Sequence, residues 1–361
     1  MSREFDYEEE FHAQDKKKSR KDRRHAQETD RSKFKKTDQN KTVAPPIDRT
    51  LPQGKVVAIS GEGAWVEANG ERFLCSIKGF LKKEKVQAKN ILAVGDLIRY
   101  THEHSIAHIE ERYSFLARRD VSGKKEQLIA VNIDQAIIVV SVVNPELKPA
   151  LIDRYIIAAK KGNIHPIIVV NKIDLLNGGE EEKRYREFVA SYEKLGLPIL
   201  SISTTKLIGL DALSSLLKNK TSVFSGQSGV GKSSLLNTSY GFNLRIGGLA
   251  HKTSKGTHTT TTAQLISLPG GGYCVDTPGV KSFGIWKLTK EEVSGHFHEF
   301  ALYKCKYPDC AHINEPQCGV LSALSEGEIS PLRYESYRTL MDEAVGGSDN
   351  RAKKKENHEP N

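Results

Sequence analysis

Apolar residues are scarce over positions 1 to about 48, recur in short alternating runs over 51–116, and gather into continuous blocks from about 130 onward. The first segment cannot bury enough apolar surface to offset chain entropy, so disorder is expected there. The second reads as short strands at Gly54–Ser60, Ala64–Ala68, Glu71–Ser76, Asp96–Tyr100 and Ile106–Arg112. Turn signals fall between them at Gly61–Gly63, Asn69-Gly70 and Gly95-Asp96. Five short strands in succession predict a small barrel of the OB-fold type.

From about 130 the pattern changes period. Gln135–Val143 (QAIIVVSVV) and Pro166–Val170 are continuous apolar runs, as strands buried on both faces require. Glu180–Leu195 reads as a charged amphipathic helix, Pro198–Ile202 as a strand and Leu210–Leu217 as a helix. Val223–Phe224 leads into a Gly-rich loop, Lys232–Leu236 opens the next helix, and Ala263–Leu268 with Gly272–Val275 suggests a hairpin. This alternation predicts an α/β sandwich with a mostly parallel sheet. After about 285 the pattern is helical around a group of cysteines, and the polar residues 346–361 are expected to be disordered.

The 361 residues carry a net charge of +9, which favours a polyanionic partner, nucleic acid first. Between Lys16 and Lys36 eleven Lys/Arg face three Asp/Glu, so the first segment reads as an electrostatic arm for RNA phosphates. Lys55, Lys78, Lys82, Lys83 and Arg99 add positive charge around the barrel. No apolar run is long enough for a membrane span, and the acidic N-terminus has no apolar core of a secretory signal. A cytoplasmic location and a monomer are expected. Three of the five cysteines lie between 305 and 318, which in a cytoplasmic chain suggests metal, not disulfides.

Residues 226–233 read GQSGVGKS, a phosphate-binding loop that follows a strand and opens a helix. Gly226, Gly229 and Gly231 let backbone N–H groups of Gln227, Ser228, Val230 and their neighbours turn toward phosphate oxygens. The helix start, with Ser234 in its first turn, adds positive partial charge. Lys232 is placed to reach β- and γ-phosphates, and the Ser233 hydroxyl to ligate Mg²⁺. Residues 171–174 read NKID. The Asp174 carboxylate suits the paired donors of guanine, which adenine lacks, so GTP is favoured over ATP. Asn171 would brace the loop, and the Lys172 stem would cover the base. Ser203-Thr204-Thr205 resembles a third base-contacting loop. In an ordinary GTPase the phosphate loop precedes NKxD. The reversed order here implies a circularly permuted domain.

Asp276-Thr277-Pro278-Gly279 matches a motif whose Asp reaches Mg²⁺ through water and whose Gly N–H meets the γ-phosphate. Residues 256–262 (GTHTTTT) stand where a first switch belongs, with Thr259 or Thr260 as the Mg²⁺ ligand. Val280 occupies the place of a water-orienting Gln, which leaves His258 as the candidate catalytic group. Cys305, Cys310, His312 and Cys318 form C-x₄-C-x-H-x₅-C, a closed set of four that suits structural Zn²⁺. Cys75 and Cys274 lie in strand-like runs as small buried hydrophobes. His296 and His298 are read as core or surface residues.

The order NKID, GQSGVGKS, GTHTTTT, DTPG and cysteine cluster, behind a small barrel, resembles the ribosome small-subunit-dependent GTPase A family over roughly residues 50–345. The resemblance implies a late assembly factor of the small (30S) ribosomal subunit. It would bind rRNA through its barrel and hydrolyse GTP to GDP and phosphate when that subunit stimulates it. His258 would be catalytic, and the zinc domain would be C-terminal. Thr257 departs from the family's usual Arg, and the long basic arm is not a uniform family feature. The expected division is a basic arm at 1–48, an OB-fold at 49–116, the permuted GTPase domain at 117–284, a helical zinc domain at 285–345 and a tail at 346–361. The alternative is a nucleotide-gated RNA-binding module with negligible turnover, which Val280 supports. A metabolic P-loop ATPase is disfavoured by NKID, and a zinc hydrolase by the closed ligand set.

Overall fold

The computed structural model describes residues 48–77, 92–119, 126–242, 263–276 and 288–356. Residues 1–47, and Lys78, Lys82 and Lys83, lie outside them.

Five strands make the barrel: β1 (Gln53–Ile59), β2 (Ala64–Ala68), β3 (Glu71–Ile77), β4 (Leu97–Tyr100) and β5 (Ser105–Ile109). Their order β1-β2-β3-β5-β4 closes through β4 on β1. β3 and β5 pair in parallel and the other neighbours antiparallel. That closure is the OB-fold arrangement the alternation predicted. Val56, Val66, Cys75, Ile98 and Ile106 fill the interior. Asn69 and Gly70 both have positive φ, +53° and +83°, as the tight β2–β3 turn demands.

A hairpin follows, β6 (Phe115–Arg119) with β7 (Glu126–Val131). The sequence reading passed over it. Val131 N–H donates to Val94 O and Phe115 N–H to Gly162 O, so the hairpin ties the barrel side to the α/β part.

The α/β part has β8 (Gln135–Val140), β9 (His165–Val170), β10 (Ile199–Ser201), β11 (Thr221–Ser225), β12 (Gln264–Ser267) and β13 (Tyr273–Asp276). The order is β10-β9-β8-β11-β13-β12, parallel except for β12. Every residue of β8 and residues Pro166–Val170 of β9 are buried, which explains the continuous apolar runs. Alternate residues feed two cores. Ala136, Ile138 and Val140 pack with α1 (Pro149–Lys161) and α2 (Glu180–Glu193). Ile137 and Val139 pack with α3 (Leu210–Leu217) and α4 (Lys232–Tyr240) on the other face. The strand preceding the phosphate loop, β11, sits at the sheet centre although three of the six strands precede it in the chain. This is the permutation expressed as topology.

Barrel and sheet join edge to edge, with Ala58 of β1 opposite Gln264 of β12. Side chains reinforce the junction. Lys55 Nζ donates to Thr221 Oγ1 at 3.1 Å. The Glu67 carboxylate accepts from Tyr273 at 2.7 Å and from Ser267 at 3.1 Å, and pairs with Arg72.

The C-terminal part comprises α5 (Lys290–His296), α6 (Gly319–Ser325) and α7 (Pro331–Glu356). Thr289 and Glu292 form a capping box on α5. Phe297, Phe300, Val320, Tyr337 and Leu340 make its core, joined by Ile157 of α1. The α7 backbone continues past 346, where the sequence reading began a disordered tail, since each further residue adds a hydrogen bond once a helix is nucleated. Among the described residues no helix is long and apolar enough to cross a membrane.

Candidate nucleotide and metal sites

β11 ends at Ser225, the chain turns through residues 226–231, and α4 begins at Lys232. Gly226, Gly229 and Gly231 have φ of +132°, +87° and +97°. A Cβ on Gly226 would lie 2.0 Å from Val139 O, and one on Gly231 would lie 2.4 Å from Asn171 Nδ2. Sterics therefore require glycine at both positions. Gly231 starts α4 with no side-chain cap and no acidic residue in its first turn, which leaves positive N–H groups toward the loop. Lys232 Nζ folds over the loop and donates to Gly226 O at 2.7 Å and Gln227 O at 2.8 Å. Val230 is buried, Ser228 is exposed, and Ser233 and Ser234 are half-buried on the first turn of α4. This cradle has the shape, charge and donors that a polyphosphate needs.

The NKID loop follows β9 at the C-terminal end of the sheet, where open α/β sheets bind ligands. Asn171 is buried, and its Nδ2 donates to Val230 O at 2.9 Å. One side chain thus ties this loop to the glycine loop. Asn171 Oδ1 accepts from Lys172 N at 2.8 Å and Thr204 N at 3.4 Å. Lys172, in the left-handed region at φ +66°, sends Nζ to Asn144 O at 2.6 Å and Gly229 O at 2.8 Å. Asp174 accepts from Ser203 Oγ at 2.5 Å and from Thr205 Oγ1 at 2.8 Å. The Ser203 hydroxyl, with Thr205 behind it, holds the Asp174 carboxyl below its ordinary value. The base-reading candidates Asn171, Lys172, Asp174, Ser203 and Thr204 and the loop 226–234 are therefore gathered on one edge.

Asp276 ends β13 beside β11, buried, with Oδ2 accepting from Gln264 Nε2 at 3.3 Å. His258, Thr259, Thr260 and Gly279 lie outside the described residues.

The cysteine and histidine ligand atoms all lie within 4.8 Å of one another. Cys305 Sγ is 3.8 Å from Cys318 Sγ, and His312 Nδ1 is 3.4 Å from Cys305 Sγ and 3.5 Å from Cys318 Sγ. Tetrahedral Zn²⁺ with ordinary bond lengths requires S···S edges of about 3.8 Å and S···N edges of about 3.5 Å. The donor set fits that ion. Burial works against Cys305 ionisation, but N–H groups of Gly319 and Val320 outweigh it and lower its pKa. Burial and the neighbouring thiols push Cys310 up to about 12, a conflict that a divalent cation would relieve. Burial also lowers the His312 pKa, which keeps the ring neutral as a ligand must be. The loop is held from α7, with Tyr337 donating to Ala311 O at 2.7 Å and Tyr334 to His312 O at 2.9 Å. Glu315 caps it, accepting from Ala311 and Ile313 N–H at 2.9 Å each.

Two features escaped the sequence reading. Tyr155 of α1 is buried, and its hydroxyl sits behind the loop against the backbone of Gly226. Thr205, read as part of a third base-contacting loop, joins Ser203 on Asp174. Asp153, next to Tyr155, is completely buried and collects partners from distant sequence: His296 at 2.9 Å, Tyr192 at 2.9 Å, Ser336 at 2.5 Å, and Arg333. His296 thereby has a core role, and His298 bonds the His296 carbonyl instead of joining the metal cluster.

Strand order, glycine loop and NKID loop define the class: a circularly permuted GTPase domain behind an OB-fold barrel, with a helical C-terminal part carrying a Cys₃His cluster. A family model described as RsgA GTPase matches residues 109–286. Small ribosomal subunit biogenesis GTPase RsgA of Chlorobaculum parvum is 37% identical over 313 residues, covering 82% of this chain and 99% of the relative. The crystal structure of YjeQ from Thermotoga maritima aligns with TM-score 0.65 and 34% identity, over 82% of this chain and 99% of that one. YloQ, described as a circularly permuted GTPase, aligns with TM-score 0.62 and 29% identity, over 82% and 96%. The chain belongs to the RsgA GTPase family.

Proposed function

We propose that this chain is a GTPase acting in biogenesis of the small ribosomal subunit, binding that subunit's RNA and hydrolysing GTP to GDP and phosphate when docked on it. The observation that carries the nucleotide part is Asn171, whose amide ties the base-reading loop to the phosphate loop at 2.9 Å. One side chain thereby sets the spacing at which a single guanine nucleotide is read at both ends. The ribosomal part rests on relatives that carry the name small ribosomal subunit biogenesis GTPase across most of the chain.

In this reading Asp174 selects guanine and Ser203 and Thr204 support it. Lys172 covers the base, and residues 226–234 with Lys232 hold the phosphates. Mg²⁺ would sit at Ser233, Asp276 and Thr259 or Thr260, where it neutralises phosphate charge. Gly279 meets the γ-phosphate, and His258 orients the attacking water. Zn²⁺ at Cys305, Cys310, His312 and Cys318 would be structural. The barrel 49–116 and the basic arm 1–48 face RNA, the GTPase domain spans 117–284, and the zinc domain spans 285–345. The protein acts as a cytoplasmic monomer. A passive nucleotide-gated RNA binder is disfavoured because the relatives are named as GTPases.

The test is GTP hydrolysis with and without small ribosomal subunits, for the wild type and His258→Ala. Stimulation by the subunit, reduced on the order of a hundred-fold in the variant, is expected. Intact GTP binding without stimulation would instead support the passive binder.

A further inference from the structure

The Asp174 carboxylate is engaged at both oxygens by hydroxyls from the loop after β10. Ser203 Oγ donates to Oδ1 at 2.5 Å, and Thr205 Oγ1 donates to Oδ2 at 2.8 Å. Each hydroxyl has one proton. With both protons committed to the carboxylate, the 3.0 Å contact between the two hydroxyl oxygens has none of its own. Ser203 is fully buried and also accepts the Lys206 N–H at 3.0 Å, so its position is fixed by the fold. Thr205 is exposed at the mouth of the site. An ionised carboxylate has roughly four lone-pair sites. The two hydroxyls take one on each oxygen, which leaves one on each. Guanine presents two donors on that edge, the ring N1–H and the 2-amine, and needs that pair.

We infer that Thr205 is a specificity-determining positioning residue: its hydroxyl fixes the plane of the Asp174 carboxylate so that both oxygens face guanine's two donors at once. The inference rests on the guanine-nucleotide reading above. Held by Ser203 alone, the carboxylate would be anchored at one oxygen and free to turn about χ2, which is a soft torsion in Asp. A base with two donors depends on the plane of the carboxylate, whereas a base with one donor follows the rotation. Hypoxanthine keeps N1–H and lacks the 2-amine. Loss of the Thr205 hydroxyl therefore penalises guanine more than hypoxanthine.

The experiment is equilibrium titration of the full chain with GDP, IDP and ADP, for the wild type, Thr205→Val and Thr205→Ser. Thr205→Val is expected to weaken GDP about ten-fold, the scale of one hydrogen bond to a charged group. IDP should weaken less, so the GDP-to-IDP preference shrinks, and Thr205→Ser should restore it. An unchanged GDP-to-IDP preference in Thr205→Val, whether both ligands weaken alike or neither does, overturns the inference. A wild type that does not prefer GDP over ADP overturns the guanine reading itself, and that result is seen without any variant.

Discussion

Gly231 has two independent reasons to be glycine. Its φ of +97° lies where a side chain is strained, and a Cβ there would meet the Asn171 amide at 2.4 Å. Gly231→Ala is expected to push Asn171 off Val230 and separate the two loops. Nucleotide affinity should fall at least about ten-fold, on the scale of the backbone strain alone, while the far-UV circular dichroism stays close to wild type. Isothermal titration with GDP checks this. The glycine loop was legible in one dimension because its spacing is local and each residue type has one job. The loop of Ser203, Thr204 and Thr205 was legible as a base-contacting segment, but not which hydroxyls meet Asp174. Tyr155 was not legible, because a tyrosine in an apolar run reads as core. Only the fold brings these hydroxyls to Asp174 and Gly226.

Helix α1 carries neighbouring side chains to opposite sides. Tyr155 meets the phosphate loop, and Asp153 anchors the C-terminal helices through His296, Arg333 and Ser336. Its markers were present in the sequence: Pro149 at the helix start, then Ile152, Tyr155, Ile156 and Ala159 at helical spacing. The burial of Asp153 was not legible, because its partners come from three other elements. Desolvation opposes ionisation of Asp153, yet Arg333 first, and then His296 and Ser336, bring its pKa below the ordinary value. A carboxylate whose folded pKa is lowered contributes stability above its unfolded pKa and loses it as pH falls through the folded value. Asp153→Asn leaves Arg333 buried without its main counter-charge. It should cost about 3–5 kcal/mol at neutral pH. Thermal melts at a series of pH values should show the gap to wild type narrowing below about pH 4. A gap that is the same at acid and neutral pH would contradict this account. The β6–β7 hairpin was missed for a different reason: it lies across the boundary drawn at 116, where the barrel pattern had ended and the apolar blocks had not begun.

At the scale of the molecule, the barrel, the α/β sheet and the metal cluster were all visible as changes of hydrophobic period and as cysteine spacing. Their junctions were not. Edge pairing of β1 with β12, the Glu67 contacts with Tyr273 and Ser267, and the packing of α7 on α1 are tertiary facts. One prediction belongs here. Elemental analysis should find one zinc per chain, and Cys318→Ser should lose it. Melting should then begin in the C-terminal helices, because Tyr334 and Tyr337 hold the ligand loop and also sit in that core. GDP binding should survive, since the nucleotide loops are carried by β9, β11 and α4 of the sheet core. Loss of GDP binding together with zinc would show that the two sites fold as one unit.

The permuted strand order also has a consequence in time. A chain is made from its N-terminus, so β8, β9 and the Asp174 loop leave the ribosome first, while β11, the glycine loop and Asp276 follow up to roughly a hundred residues later. At ordinary elongation rates that interval is on the order of ten seconds. In the meantime β8 waits with its β11 side unpaired, and no nucleotide can be held at both ends. GTP can therefore steady this protein only in the last stretch of its synthesis, after the barrel and half of the sheet have had to find their places without it.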